Sequence, residues 1–152
     1  MPGVASLVAR RYYAHPRNVF WPIMARLFRF DPLDPYKARL AHLAGARIAL
    51  WDVLRSCDRV GSLDVAIGRP VPNDFAAFLG SHQRIRQVLF NGTKAEALFR
   101  RLVLPSVALL PIAYTRLPST SPANASQSFD RRFEAWRAVS GASGKLPASA
   151  PR

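Results

Sequence analysis

Ten residues near the start of the chain, YYAHPRNVFW at 12–21, hold four aromatic rings, a His-Pro pair, an arginine and an asparagine. Gathered on one loop, such groups can grip a flat heterocycle, although each is also an ordinary packing group. The Asn18 carboxamide can orient a water and offer its oxygen to a developing positive charge. It can equally cap a helix starting at Phe20 or Trp21. Tyr12 and Tyr13 can stack on a planar ring or sit half-buried as structural aromatics. Asn91, in FNG, can bond the edge of such a ring, and Asn-Gly is also a common turn dipeptide. Asp52, after Trp51, stands at the mouth of an expected strand, where a carboxylate contacts a ligand or is merely solvated. In LPSTSPANAS, three hydroxyls (Ser119, Thr120, Ser121) lie between Pro118 and Pro122. That makes a rigid turn whose side chains and amides can hold a phosphate, or a capped loop before the last helix.

Other chemistries lack their residues. His15, His42 and His82 are isolated, Cys57 is the one cysteine, and no metal-ligand spacing occurs. No Walker-type phosphate loop and no GxSxG elbow are present. Cys57 has only Arg55 and Arg59 as nearby basic groups and is not read as a nucleophile. Neither a metal nor a cofactor is expected. A lone cysteine cannot form an internal disulfide, which suits a reducing cytoplasm. The net charge is +13, from 22 basic and 9 acidic side chains. Arg10, Arg11, Arg17, Arg26 and Arg29 all precede the first acidic residue, Asp31. Such an excess favours a polyanionic partner, because neutralising phosphates releases condensed counterions. Arginine-rich coding in a GC-rich genome produces the same balance.

The elements that must position these residues follow from apolar spacing. Phe20, Ile23, Met24, Leu27 and Phe28 share a helical face, and Pro22 requires that helix to start near Phe20 or Trp21. Two Asp-Pro turns precede a helix through Tyr36, Leu40 and Leu43 that stops at Gly45. ARIALWDVL predicts a buried strand over 47–53, followed by a long irregular connection, SCDRVGSLDVAIGRPVPN. Asn73 or Asp74 caps a helix through DFAAFLGSH, and IRQVLFNG reads as a second strand. Thr93 with Glu96 has capping-box spacing. SVALLPIAYTRL supplies a third strand, and Phe129, Phe133, Trp136 and Val139 mark a final helix. The segment 139–152 is expected to be a disordered tail. No apolar run reaches the length of a membrane span, so no membrane association is expected. Alternating strands and helices argue for one α/β domain over 1–138, with ligands beyond the carboxyl ends of its strands.

The order MPGVAS, YYAHPRNVFW, LWDVL, LFNGTKA, LPSTSPANA resembles the uracil-DNA glycosylase superfamily, most specifically its hypoxanthine-DNA glycosylase (DNA-deoxyinosine glycosylase) branch, over residues 1–138. The resemblance implies a three-layer α/β/α sandwich with a short, mainly parallel central sheet. It also implies a monofunctional base-excision enzyme, without metal or cofactor, acting as a cytoplasmic bacterial monomer on double-stranded DNA and associated with the nucleoid. Hypoxanthine is the first expected substrate, with uracil or xanthine beside it. A catalytically impaired nucleic-acid-binding protein of the same fold is the alternative.

By position, Asn18 looks like the branch's catalytic asparagine, Tyr13 like the ring that stacks on the flipped base, and Asn91 and Asp52 like base-pocket groups. Ser119, Thr120, Ser121 and Pro122 resemble the loop that pinches the DNA backbone. Two departures stand out. Met1 occupies a place where several branches carry a catalytic Asp or Asn. The family's usual first strand, which precedes MPG, is not in this sequence, so an N-terminally truncated and poorly stable domain is expected.

Overall fold

The computed structural model describes residues 3–59, 67–124 and 126–142. Met1, and the expected tail beyond residue 142, lie outside these. The chain opens with a short helix, α1 (Val4–Ala9), ended by Arg10 in the left-handed conformation. The loop 10–19 leads into α2 (Phe20–Phe28), which starts where Pro22 required and buries Phe20, Trp21, Ile23 and Met24. Helix α3 (Tyr36–Gly45) follows the Asp-Pro turns and buries Leu43.

Residues 47–53 do not form the expected strand. Arg47 turns left-handed, and Ile48 N–H returns to the Leu43 carbonyl at 2.9 Å. Beyond it, the segment has no ladder partner among the described residues. An apolar run becomes a strand only where a neighbour takes up its backbone groups. Asn73 holds its end instead, donating from Nδ2 to the Asp52 carbonyl at 2.8 Å and from N–H to the Val53 carbonyl at 3.0 Å. The strand starts one residue later, as β1 (Leu54–Arg59), paired antiparallel with β2 (Ile67–Pro72). The expected irregular connection is thus largely a hairpin. Gly68, Pro70 and Pro72 hid it, and their cost is contained because, among the described residues, β1 and β2 pair with nothing but each other and their register is bulged.

Helix α4 (Phe75–Ser81) is capped by Asp74, whose carboxylate accepts the Ala77 N–H at 3.0 Å. Strand β3 (Gln87–Asn91) runs into α5 (Thr93–Leu102) through Gly92. Gly92, not Thr93, is the cap: its carbonyl takes the Glu96 N–H, and Thr93 is already helical. Glu96 instead pairs with Arg100 at 2.9 Å and Arg116 at 3.4 Å. The apolar run after α5 divides into a short helix, α6 (Leu104–Val107), and strand β4 (Ala113–Leu117). Helix α7 (Phe129–Trp136) is capped by Ser128, and α8 (Ala138–Ala142) continues beyond it. The tail expected from 139 therefore begins in a helix, because Val139 is an apolar anchor, only 4% exposed.

Strands β3 and β4 are parallel and in register from Gln87 opposite Ala113 to Asn91 opposite Leu117. Successive side chains of a strand point to opposite faces, and here each face has its own core. Leu89 and Leu117 pack with α2, α3, α7 and α8 through Phe20, Ile23, Leu43, Trp136 and Val139. Val88, Phe90 and Tyr114 pack with α4, α5 and α6 through Phe75, Leu79, Phe99 and Val107. The result is helices, a parallel strand pair, then helices: an α/β fold in three layers. Both strands end together, so Asn91 and the 118–124 loop emerge at one carboxyl edge.

Candidate active site

Asn18 reaches that edge through a short turn. Its N–H donates to the His15 carbonyl at 2.9 Å, and the His15 ring nitrogen Nδ1 accepts the Arg17 N–H at 3.1 Å. The carboxamide Oδ1 then accepts the Phe20 N–H at 3.0 Å. The N-cap position is Val19, not Asn18 as foreseen; from one residue earlier the Asn18 carboxamide takes up the first helical N–H, which fixes its orientation. A carbonyl oxygen has two lone pairs, so one remains for a water or an electron-poor carbon.

One hydrogen-bonded tie joins this turn to the end of β3 and to the serine-rich loop. Val19 N–H donates to the Thr120 carbonyl at 3.2 Å. Thr120 N–H donates to Asn91 Oδ1 at 2.9 Å, and Asn91 Nδ2 donates to Thr120 Oγ1 at 2.8 Å. Thr120 is fully buried. Two bonds to one partner leave the Asn91 amide a single orientation. Oδ1 retains one further accepting position, while the second Nδ2 hydrogen is directed at the Tyr13 hydroxyl. Gly92 lets the loop come this close: a Cβ there would lie 3.0 Å from Ser119 Cβ.

The rest of the loop satisfies itself. Ser119 Oγ accepts the Ser121 N–H at 3.2 Å, and Ser121 Oγ accepts the Ala123 N–H at 3.3 Å. Asn124 donates to the Ser119 carbonyl at 3.0 Å, and the Trp136 indole donates to the Pro118 carbonyl at 2.9 Å. Pro122 completes a run of side-chain-bonded turns that is stiff before any ligand arrives.

Tyr13 lies in the left-handed region, with φ of 55°. Its ring stacks on Phe20, with centroids 3.8 Å apart and planes 22° apart. Its hydroxyl bonds Asn91. The residue expected to meet a base thus has one face on the core. Backbone strain of this kind gathers at ligand sites. Asp52 is half-buried, and burial pushes its carboxyl above the ordinary range. Burial, and after it the Asp52 charge, raises the phenols of Tyr12 and Tyr13, and the Asp52 backbone bonds the Tyr12 hydroxyl, which places Asp52 at the rim of the cluster.

Burial pushes the Tyr13 phenol up to about 12, against the Asn91 hydrogen bond that lowers it and with a smaller push from Asp52. An unfolded tyrosine ionises near ~10, so above that pH the unfolded chain releases a proton that the folded chain keeps. This contribution to stability is complete below about 10 and is lost as pH rises toward about 12. Melts across that window should show a steeper alkaline decline in the wild type than in Tyr13→Phe. Parallel declines would mean that Tyr13 ionises normally.

The structure therefore brings Tyr13, Asn18, Asn91 and Thr120 together, with Ser119, Ser121 and Pro122 on the same loop and Asp52 at the edge. Among the described residues, no cluster of His, Cys, Asp and Glu could hold a metal ion. Sequence reasoning missed the aromatic platform beside Tyr12. Tyr12 N–H donates to the Tyr36 hydroxyl at 2.9 Å, and the Trp21 indole donates to the Tyr12 carbonyl at 3.0 Å. Tyr36 had been read only as a helix-face residue and Trp21 as one of the loop's four rings and a candidate helix start, and no spacing signal links either to Tyr12.

Comparison with known proteins gives a consistent set of relatives. No protein-family model matches the chain. A hypoxanthine DNA glycosylase from Methanosarcina acetivorans is 34% identical over 143 residues, covering 91% of this chain and 85% of the relative. A second hypoxanthine DNA glycosylase, from Methanosarcina barkeri, is 33% identical over 96 residues, covering 62% of this chain and 61% of the relative. A solution NMR structure from Methanosarcina acetivorans, described as a candidate uracil DNA glycosylase, superposes with a TM-score of 0.79 at 30% identity, over 95% of this chain and 86% of the other.

Proposed function

Since this chain belongs to the hypoxanthine DNA glycosylase family, and is a monofunctional DNA glycosylase, we propose that it removes hypoxanthine from double-stranded DNA, with uracil and xanthine as secondary substrates. The observation that carries this reading is the tie through Thr120, which holds Asn18 and Asn91 at one edge with the Tyr13 ring beside them. A base inside a duplex cannot reach such a site. It must be flipped out, at a cost of a few kcal/mol that is smaller at a mispair.

In this reading the flipped base lies against Tyr13, and Asn91 bonds its edge through the capacity left beside Thr120. Asp52 borders the pocket. As the C1′–N9 bond lengthens, the sugar becomes oxocarbenium-like and the electron pair leaves with the purine. Asn18 Oδ1, already oriented by Phe20 N–H, directs a water at C1′. The water oxygen bonds C1′ and releases a proton, the departing purine gains one, and an abasic site remains. The Ser119 and Ser121 hydroxyls, whose oxygens accept within the loop, donate to the phosphates around the flipped nucleotide. The +13 charge holds the enzyme to DNA. We place it in the cytoplasm as a monomer. Among the described residues, no helix is long and apolar enough to cross a membrane.

The test is alkaline cleavage of duplexes containing deoxyinosine, deoxyuridine or deoxyxanthosine, each in a single labelled strand. Cleavage is expected only after alkali, and fastest with deoxyinosine. Salt-sensitive binding without any abasic product would select a DNA-binding protein that has lost catalysis.

A further inference from the structure

Two arginines beside the site have no role in this scheme. The Arg11 guanidinium carbon lies 5.6 Å from the Tyr36 ring centroid, and that of Arg39 lies 5.7 Å from the same ring and 4.6 Å from Trp21. The two rings meet edge to face, 5.9 Å apart. Two like charges therefore converge on one aromatic platform. Among the described residues, neither arginine forms an ion pair. Asp34, which attracts Arg39, is itself 3.4 Å from His42. Arg39 Nε is shielded from solvent and has no hydrogen-bond acceptor. Burial, and then the neighbouring Arg11, lower the affinity of Arg39 for its proton.

We propose that Arg11 and Arg39 form a phosphate clamp that holds the DNA backbone next to the flipped nucleotide, carried on the faces of Tyr36 and Trp21. The position follows from the backbone. Those same rings bond both the N–H and the carbonyl of Tyr12, so the clamp is one residue from the base-stacking Tyr13. The chemistry follows from the charges. Cations held over rings gain from the ring faces, while their N–H donors remain for an anion, and guanidinium forks match phosphate oxygens. A phosphodiester between them would offset their mutual repulsion and accept from their terminal guanidinium nitrogens.

This inference rests on the DNA glycosylase reading but is measured separately from it. Full-length wild type, Arg11→Gln, Arg39→Met and Arg69→Gln would be titrated with a duplex carrying 2′-fluorinated deoxyinosine, which resists cleavage, over a series of salt concentrations. Arg39→Met keeps an aliphatic stem over Trp21. Arg69, ion-paired with Asp58 at 3.2 Å on the hairpin, controls for simple loss of one positive charge. Arg11→Gln and Arg39→Met should each weaken binding about tenfold and reduce the log–log salt slope by about one. Arg69→Gln should leave the slope unchanged.

Unchanged affinity and slope in Arg11→Gln, or an equal loss in Arg69→Gln, would overturn the clamp. Should Arg39→Met lower the melting temperature, the exposed Arg11 decides. A wild type that binds with these slope changes but releases no hypoxanthine would leave the clamp standing and remove the substrate assignment.

Discussion

Replacing Asn18 by alanine should slow excision of hypoxanthine about a thousandfold in single turnover, the range expected for losing a positioned catalytic group. The same change removes the acceptor for Phe20 N–H at the start of α2 and should cost about 1 kcal/mol of stability. The two effects separate through Asn18→Asp. A carboxylate retains an oxygen for Phe20 N–H, so its melting temperature should stay near the wild-type value, whatever its excision rate. An alanine variant that is less stable yet excises at the wild-type rate would reduce Asn18 to a support for the start of α2.

Among the described glycines, Gly92 should be the least tolerant of an added methyl group, as in Gly92→Ala. Gly92 has φ of 94° and ψ of 168°, a region essentially closed to residues with a side chain. The new Cβ would also sit 3.0 Å from Ser119 Cβ. Strain and close contact together should cost about 2–3 kcal/mol, or roughly 5–10 °C in Tm. The loop carrying Ser119 and Thr120 would be pushed from β3, so excision should fall as well. Wild-type stability together with wild-type excision would show that this close approach has no importance.

The layers of the fold were legible where apolar residues recur on one face. The starts of α2, α3, α4 and α7 and both parallel strands follow from such patterns, together with Pro22 and with Asp74, one of the two caps the sequence offered for α4. The hairpin was not legible, because Gly68, Pro70 and Pro72 each argue for a loop, and pairing with β1 overrides them. The run 47–53 failed for the opposite reason: its composition suits a strand, but composition does not supply a partner.

The candidate site was legible as residue types and illegible as a network. Asn18, Asn91 and the Ser-Thr-Ser turn stand out in the sequence, yet nothing in it says that Thr120 bonds Asn91 twice and Val19 once. Asn18 was open between cap and catalyst; its carboxamide bonds the first N–H of α2 from one residue before the cap, and the excision rate of its alanine variant decides the catalytic reading. Arg11 and Arg39 were simply part of the positive charge. Their convergence on Tyr36 depends on how α3 packs against the loop before α2, which no local pattern records.

The bond from Val19 to Thr120 also orders events in time. As the chain leaves the ribosome, Asn18 appears early, but Thr120 and the α7 residue Trp136 that braces Phe20 arrive late. Local helices can form during synthesis, whereas contacts this distant along the chain must wait for loop closure across most of the protein. An unfinished chain therefore has the basic, DNA-attracting arm without the assembled pocket, and competence to cut a glycosidic bond comes only once Thr120 and α7 have been made.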